Sequence, residues 1–171
     1  MIRSVTSPLP GVTCALLVFF SATAYAGADA GSIAAPAGTQ PVATLAATGV
    51  QVYSCEFDAS HRLGWVFKRP DATLYDANGR AVVHHGAGPS WQADDHSRIV
   101  GQVVGQAAGQ TPGSISQLLL QTKSTGPEGM LSGVRYVQRL DTVGGAAPAN
   151  HCVTEHQIGE SPYFAHYAFL K

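Results

Sequence analysis

The sequence predicts an all-β single domain, an antiparallel barrel or sandwich, with one disulfide and a preceding signal peptide. Three observations carry this. Long helical periodicity is missing, and short β-branched and aromatic runs recur between glycine-rich turns. Cys55 and Cys152 lie near the two ends of the domain. The first 26 residues have the tripartite form of an export signal.

Arg3 is the only charge before Asp29, and Val12 to Phe20 forms an apolar core. Ala24-Tyr25-Ala26 is a small-x-small cleavage site, so residues 1–26 are expected to leave and the mature chain to begin at Gly27. The expected location is secreted or periplasmic. Cys14 would depart with the signal, leaving Cys55 and Cys152 to pair in an oxidising compartment. Residues 27–41 are mostly Ala, Gly, Pro, Ser and Thr and read as a flexible leader. The folded domain is expected over 42–171.

Along that domain, Gln51, Tyr53, Cys55 and Phe57 share one face of an alternating strand over Gly49 to Phe57. Leu63 to Lys68 and Ala72 to Asp76 read as two strands with Pro70 as the break. Asn78-Gly79 is a hairpin turn that should pair Ala72–Asp76 with Arg80–His85. Arg98 to Gln106 follows, with Gly101 and Gly105 marking bends or close backbone approaches. The Leu118-Leu119-Leu120 run fits either a fully buried strand or a short helix. Val134 to Thr142 alternates, with Val134, Tyr136, Gln138 and Leu140 on the apolar face. Tyr163 to Leu170 is the last strand. Seven to nine strands at this spacing suit a barrel or a sandwich.

Charge excludes several partners. Without Arg3 the chain carries eleven acidic and nine basic residues, the latter scattered singly apart from Lys68-Arg69. Nucleic acid and anionic membrane surfaces need clustered cations, so neither is expected. No apolar stretch after residue 26 is long enough to span a bilayer.

The densest polar cluster is His84-His85-Gly86-Ala87-Gly88-Pro89-Ser90-Trp91, followed by Asp94-Asp95-His96-Ser97. It fits a structured loop in which Trp91 plugs the core and Asp94 caps a turn. It also fits a site in which His85 and Asp95 do acid–base work. His151, Glu155 and His156 miss the inverted zincin spacing by one residue and lie in a segment unsuited to a helix, so no metal is expected. Gly88-Pro89-Ser90-Trp91-Gln92 lacks the second glycine of a nucleophile elbow. No phosphate loop or dinucleotide fingerprint occurs, and no cofactor is expected. Gln51 and Gln138 sit on apolar strand faces, where a buried amide must find a partner in the protein or in a ligand.

The ordered series Gly49-Val50-Gln51-Val52-Tyr53-Ser54-Cys55, His85-x-x-Gly88-Pro89-Ser90-Trp91, Asp95-His96-Ser97, Val134 to Pro148, Cys152 and Tyr163-x-Ala165-x-Tyr167-x-Phe169 resembles the DUF3455 family. That family comprises secreted bacterial and fungal proteins of unknown function. The resemblance implies export, one domain over about 45–170 and pairing of the two cysteines. Its pattern has Gly-Pro-Thr-Trp and Asp-Gly-Ser. Ser90 stands here in place of the threonine and His96 in place of the glycine. Carried over by position, the polar site residues are Gln51, His85, Trp91, Asp95, Gln138 and Arg139.

The expected function is binding of a small molecule or a cell-envelope component by an exported β-domain. The alternatives are a secreted hydrolase using His85 and Asp95, and an envelope structural protein with a filled interior.

Overall fold

The computed structural model describes residue 1 and residues 32–171. The export signal expected over 1–26 and the leader up to residue 31 therefore fall outside the described residues, apart from Met1. The remainder forms eight strands: β1 (Pro41–Phe57), β2 (Leu63–Tyr75), β3 (Ala81–Gly86), β4 (Ser90–Ala93), β5 (Arg98–Ala107), β6 (Gln117–Ser124), β7 (Tyr136–Gly144) and β8 (Ile158–Leu170). Among the described residues there is no helix.

Each strand pairs antiparallel with the next, and β8 returns to β1 to close a barrel. Closure decides between the two predicted architectures. β1 and β8 pair from Pro41↔Leu170 to Ser54↔Ile158. Just before β1, Gln40 and Lys171 exchange both backbone hydrogen bonds at 3.0 Å. The leucine run at 118–120 lies within strand β6, with Leu119 and Leu120 both buried.

The Asn78-Gly79 hairpin forms as expected, pairing Ala72↔His85 through Tyr75↔Ala81. Only Gly79 of the two turn residues has positive φ. The Asp76 carboxylate accepts from the Asn78 and Arg80 amides and holds the turn.

Two expectations are corrected. Pro70 does not break a strand, because β2 runs through it, paired Gln51↔Pro70. β3 reaches back only to Ala72, so this part of β2 has a neighbour on one side alone, where a proline is tolerated. The extra residue is Lys68, at a bulge opposite Val52 and Tyr53. The second correction concerns β7. Val137 and Arg139 face the interior, while Gln138 lies on the opposite, outer face. The alternation of β7 was legible, but both of its faces carry apolar residues, and composition favoured the wrong one.

Strand direction defines two ends. The upper end carries the β3–β4 turn, the β5–β6 and β7–β8 loops and the β1–β2 extension. The lower end carries the β2–β3, β4–β5 and β6–β7 connections. Leu131 and Val134 of the β6–β7 connection join Leu45, Leu74, Ile99, Leu120 and Phe169 in the buried core. Gly49 is required on β1, because a Cβ there would run into the Asp71 carbonyl and Ala72. Gly101 leaves the space taken by the Trp91 ring and Leu120.

Cys55 and Cys152 are bonded, tying β1 to the loop before β8 across 97 residues of sequence. Closing a loop of that length in the unfolded chain is worth about 4–5 kcal/mol in the chain-entropy model. The Cys55→Ala/Cys152→Ala protein is therefore expected to unfold at markedly lower denaturant, with a larger m-value because its unfolded chain is less compact. Urea titration of both proteins checks this.

His96 occupies the glycine position of the Asp-Gly-Ser pattern with φ of 67°. The tight turn persists, with the His96 amide donating to the Ala93 carbonyl at 2.9 Å. A non-glycine residue in this left-handed region is strained, so His96→Gly should raise stability by about 1 kcal/mol. A thermal melt showing no gain would contradict the strain.

Candidate functional site

The barrel's upper half holds a pocket of about 400 Å³. That is within the usual range for a small-molecule site. An eight-stranded barrel has room for interior side chains and one small ligand. Gln51 of β1 and Arg139 of β7 line that room together with apolar side chains.

One wall is aromatic. The His85 and Trp91 rings stack with centroids 4.6 Å apart and planes 8° from parallel. Their strands pair these two residues directly. Tyr167 leans on both, at 5.2 Å from His85 and 6.0 Å from Trp91. Tyr53, Phe67, Leu118, Leu120, Ile115 and Pro70 add to the apolar lining. The Tyr53 hydroxyl donates to the Gly145 carbonyl at 2.7 Å and so holds the start of the β7–β8 loop over the mouth. Gly145 has φ of 84°, and a Cβ there would press on Tyr163, Gln51 and Ile115. The Gly144-Gly145 pair therefore lets this loop cross close above the pocket.

His85 is buried, and its Nδ1 lies 2.9 Å from the Ser90 carbonyl. A carbonyl only accepts, so Nδ1 carries the proton and Nε2 is left as an acceptor. Burial pushes the His85 pKa down to about 3, overcoming the Ser90 bond that favours the charged form. The ring is neutral at ordinary pH. Burial also raises the Tyr167 and Tyr163 hydroxyl pKa values, so both stay protonated, with their oxygens 3.3 Å apart.

Arg139 is the cation of this interior. Its Nε and Nη2 donate to the Ser116 carbonyl at 3.0 and 2.8 Å. No acidic side chain pairs with it among the described residues. Lys68 also lines the pocket, but Glu56 neutralises it at 2.7 Å. The lining contains no carboxylate. Two buried donors, Gln51 Nε2 and Trp91 Nε1, have no hydrogen-bond partner within the described protein. Gln51 is only 2% exposed, so its Nε2 is shielded from bulk solvent and has no protein acceptor among the described residues.

Of the six expected site residues, Gln51, His85, Trp91 and Arg139 come together here. Gln138 does not, since its amide donates to the Ile33 carbonyl at 2.7 Å and pins the segment before β1 to the outer face of the barrel. Asp95 does not either. It sits in the β4–β5 turn at the lower end, while His85 faces the pocket at the upper end. The Asp95 carboxylate accepts from Ser97 Oγ, the Ser97 amide and the Met130 amide, which hold it below the usual carboxylate range. Ser97 Oγ in turn accepts from the Leu131 amide. Asp95, rather than Asp94, is thus the turn cap, and it latches the lower plug. An exposed carboxylate with this bonding cannot orient His85.

The chain belongs to the DUF3455 family of proteins of unknown function. The family model matches residues 36–171, most of the chain. No curated protein and no solved structure matches it. The family segment includes all eight strands and thus the whole pocket.

Pocket residues that the motif reading of this DUF3455 protein missed include Tyr53, Phe67 and Tyr167. Tyr53 and Tyr167 were visible as inward positions of alternating strands. Phe67 was hidden by the Lys68 bulge, which shifts the alternation. His151, Glu155 and His156 do not assemble as a trio. His156 and Glu155 instead approach Glu56 at the surface, where Glu56 already pairs with Lys68 and His156.

The neutral state of His85 has a pH signature. The unfolded chain binds a proton at His85 below about pH 6.5, and the folded chain does so only near pH 3. Stability is therefore complete above 6.5 and falls as pH drops through that window, by on the order of 4 kcal/mol. Depressed carboxylates add their loss only below about pH 4. Between pH 6.5 and 4, His85→Phe should flatten the profile. Melting temperatures of both proteins across that range check this, and equal slopes would contradict a buried neutral ring.

Proposed function

We propose that this DUF3455 protein is an exported binding module that holds a small molecule in the mouth of its barrel without turning it over. The observation that carries the reading is an apolar pocket at whose wall two buried donors, on Gln51 and Trp91, lack partners. An unmet buried donor costs about 1–3 kcal/mol. A bound acceptor reached by a small turn of either side chain would remove that cost. Export is supported by the signal-like N-terminus and by a disulfide of the kind that persists in oxidising compartments. The absence of turnover is supported by His85, whose ring proton is committed to a backbone carbonyl and whose expected partner Asp95 serves the opposite end.

The test uses N-phenyl-1-naphthylamine, a neutral dye that fluoresces in apolar surroundings. Saturable binding of one dye per chain is expected. Leu118→Trp, which fills the pocket from β6, should abolish it with little change in melting temperature. Asp95→Asn should lower the melting temperature and leave dye affinity unchanged. Absent or non-saturable binding, or a Leu118→Trp protein that binds normally, would overturn the reading.

A further inference from the structure

We propose that the ligand of the pocket is a monocarboxylate with an apolar or planar body, and that Arg139 receives its carboxylate. The inference rests on the binding reading above and adds the chemical class of the ligand.

Charge is the first argument. The lining contains two cations and no anion. Lys68 is satisfied by Glu56, and nearby Asp71 is taken by Arg69 at 2.6 Å. Arg139 is half-buried inside the barrel, with the Ser116 carbonyl as its acceptor, the Tyr167 hydroxyl beside it and no carboxylate paired with it among the described residues. A guanidinium is always charged and offers five donors. Removing such a charge from bulk water without a counter-ion is costly, so the site favours an occupant that supplies one.

Geometry is the second. Nε and one Nη2 hydrogen are spent on Ser116. This fixes the plane of the guanidinium and leaves its Nη1/Nη2 end, which presents two parallel N–H groups. That end matches the two oxygens of a carboxylate. Gln51 lines the same pocket with its Nε2 buried and unpartnered, and a small turn of its side chain would add a donor. The balance of the polar groups is on the donor side, which suits an acceptor-rich head.

The rest of the pocket selects the body. The His85–Trp91 stack with Tyr167 against it is a flat wall, and Leu118, Leu120 and Ile115 are aliphatic. One unpaired cation matches one negative charge. A phosphate monoester carries about −1.5 to −2 near neutrality, more than the site neutralises.

Three probes sharing one ring system separate these outcomes: 1-naphthylacetate, its neutral isostere 1-naphthylacetamide, and 1-naphthyl phosphate. Affinities are measured by calorimetry on the disulfide-bonded protein. The acid is expected to bind at least tenfold tighter than the amide and tighter than the phosphate. Arg139→Gln should bring the acid-to-amide ratio close to one, and Arg139→Lys should restore part of it. Because Arg139 also braces Ser116, Gln51→Met provides a second variant. It should weaken the acid severalfold while the protein melts no lower than the wild type, since the unmet Gln51 donor is removed. Equal binding of acid and amide, or a ratio untouched by Arg139→Gln, would overturn the carboxylate proposal and leave the binding module standing. Tighter binding of the phosphate would overturn it in favour of a dianion. Failure of all three probes together with the neutral dye would overturn both.

Discussion

Pairing of β1 with β8 is the constraint on which the rest of the molecule depends. The two longest contacts of the sheet involve β1, which runs 17 residues and pairs along most of its length with both β2 and β8. Without that seam, both strands would present unpaired edges, and the inward residues would face another layer or water. With it, every strand contributes to one interior. The disulfide strengthens the same region, because Cys55 lies on β1 beside the seam and Cys152 on the loop leading into β8. Small residues serve closure too. Gly49 on β1 permits the tight approach to Asp71 and Ala72 on β2.

The interior is divided along its axis by chemistry. The lower half is a dry core of Leu45, Leu74, Ile99, Leu131 and Phe169, sealed by a plug that Asp95 and Ser97 latch. The upper half trades apolar packing for Gln51, His85 and Arg139. Such residues are costly in a barrel unless each polar atom is met. His85 meets the cost by remaining neutral and donating to Ser90. Arg139 meets it in part through Ser116. Gln51 and Trp91 Nε1 do not meet it within the described residues. The satisfaction of these groups is thus graded, from His85 through Arg139 to the unpartnered donors of Gln51 and Trp91.

Much of the strand pattern was legible because alternation is a local property. Gln51, Tyr53 and Cys55 were read onto one face of β1, and all three point inward. The Asn78-Gly79 turn and the cysteine pair were readable for the same reason: their chemistry is carried by one or two residues. Pro70 was misread because its cost depends on whether a neighbouring strand needs its missing N–H, which is a matter of where β3 begins. Gln138 was misplaced because β7 has apolar residues on both faces. Asp95 was grouped with His85 because they are near in sequence, yet β4 runs back down the barrel from the His85↔Trp91 pair and carries Asp95 to the lower end.

By itself, the sequence determined the all-β class, the approximate strands, their turns and the pairing of Cys55 with Cys152, since periodicity, turn chemistry and cysteine count are all local or compositional. The tertiary structure alone decided that the sheet closes rather than stacks, and that Gln51, His85, Trp91 and Arg139 share one pocket while Gln138 and Asp95 stay outside it. The physical reason is that a barrel interior is assembled from every strand at once. Which side chains meet there depends on register and closure, and both are set by pairings between residues distant in sequence.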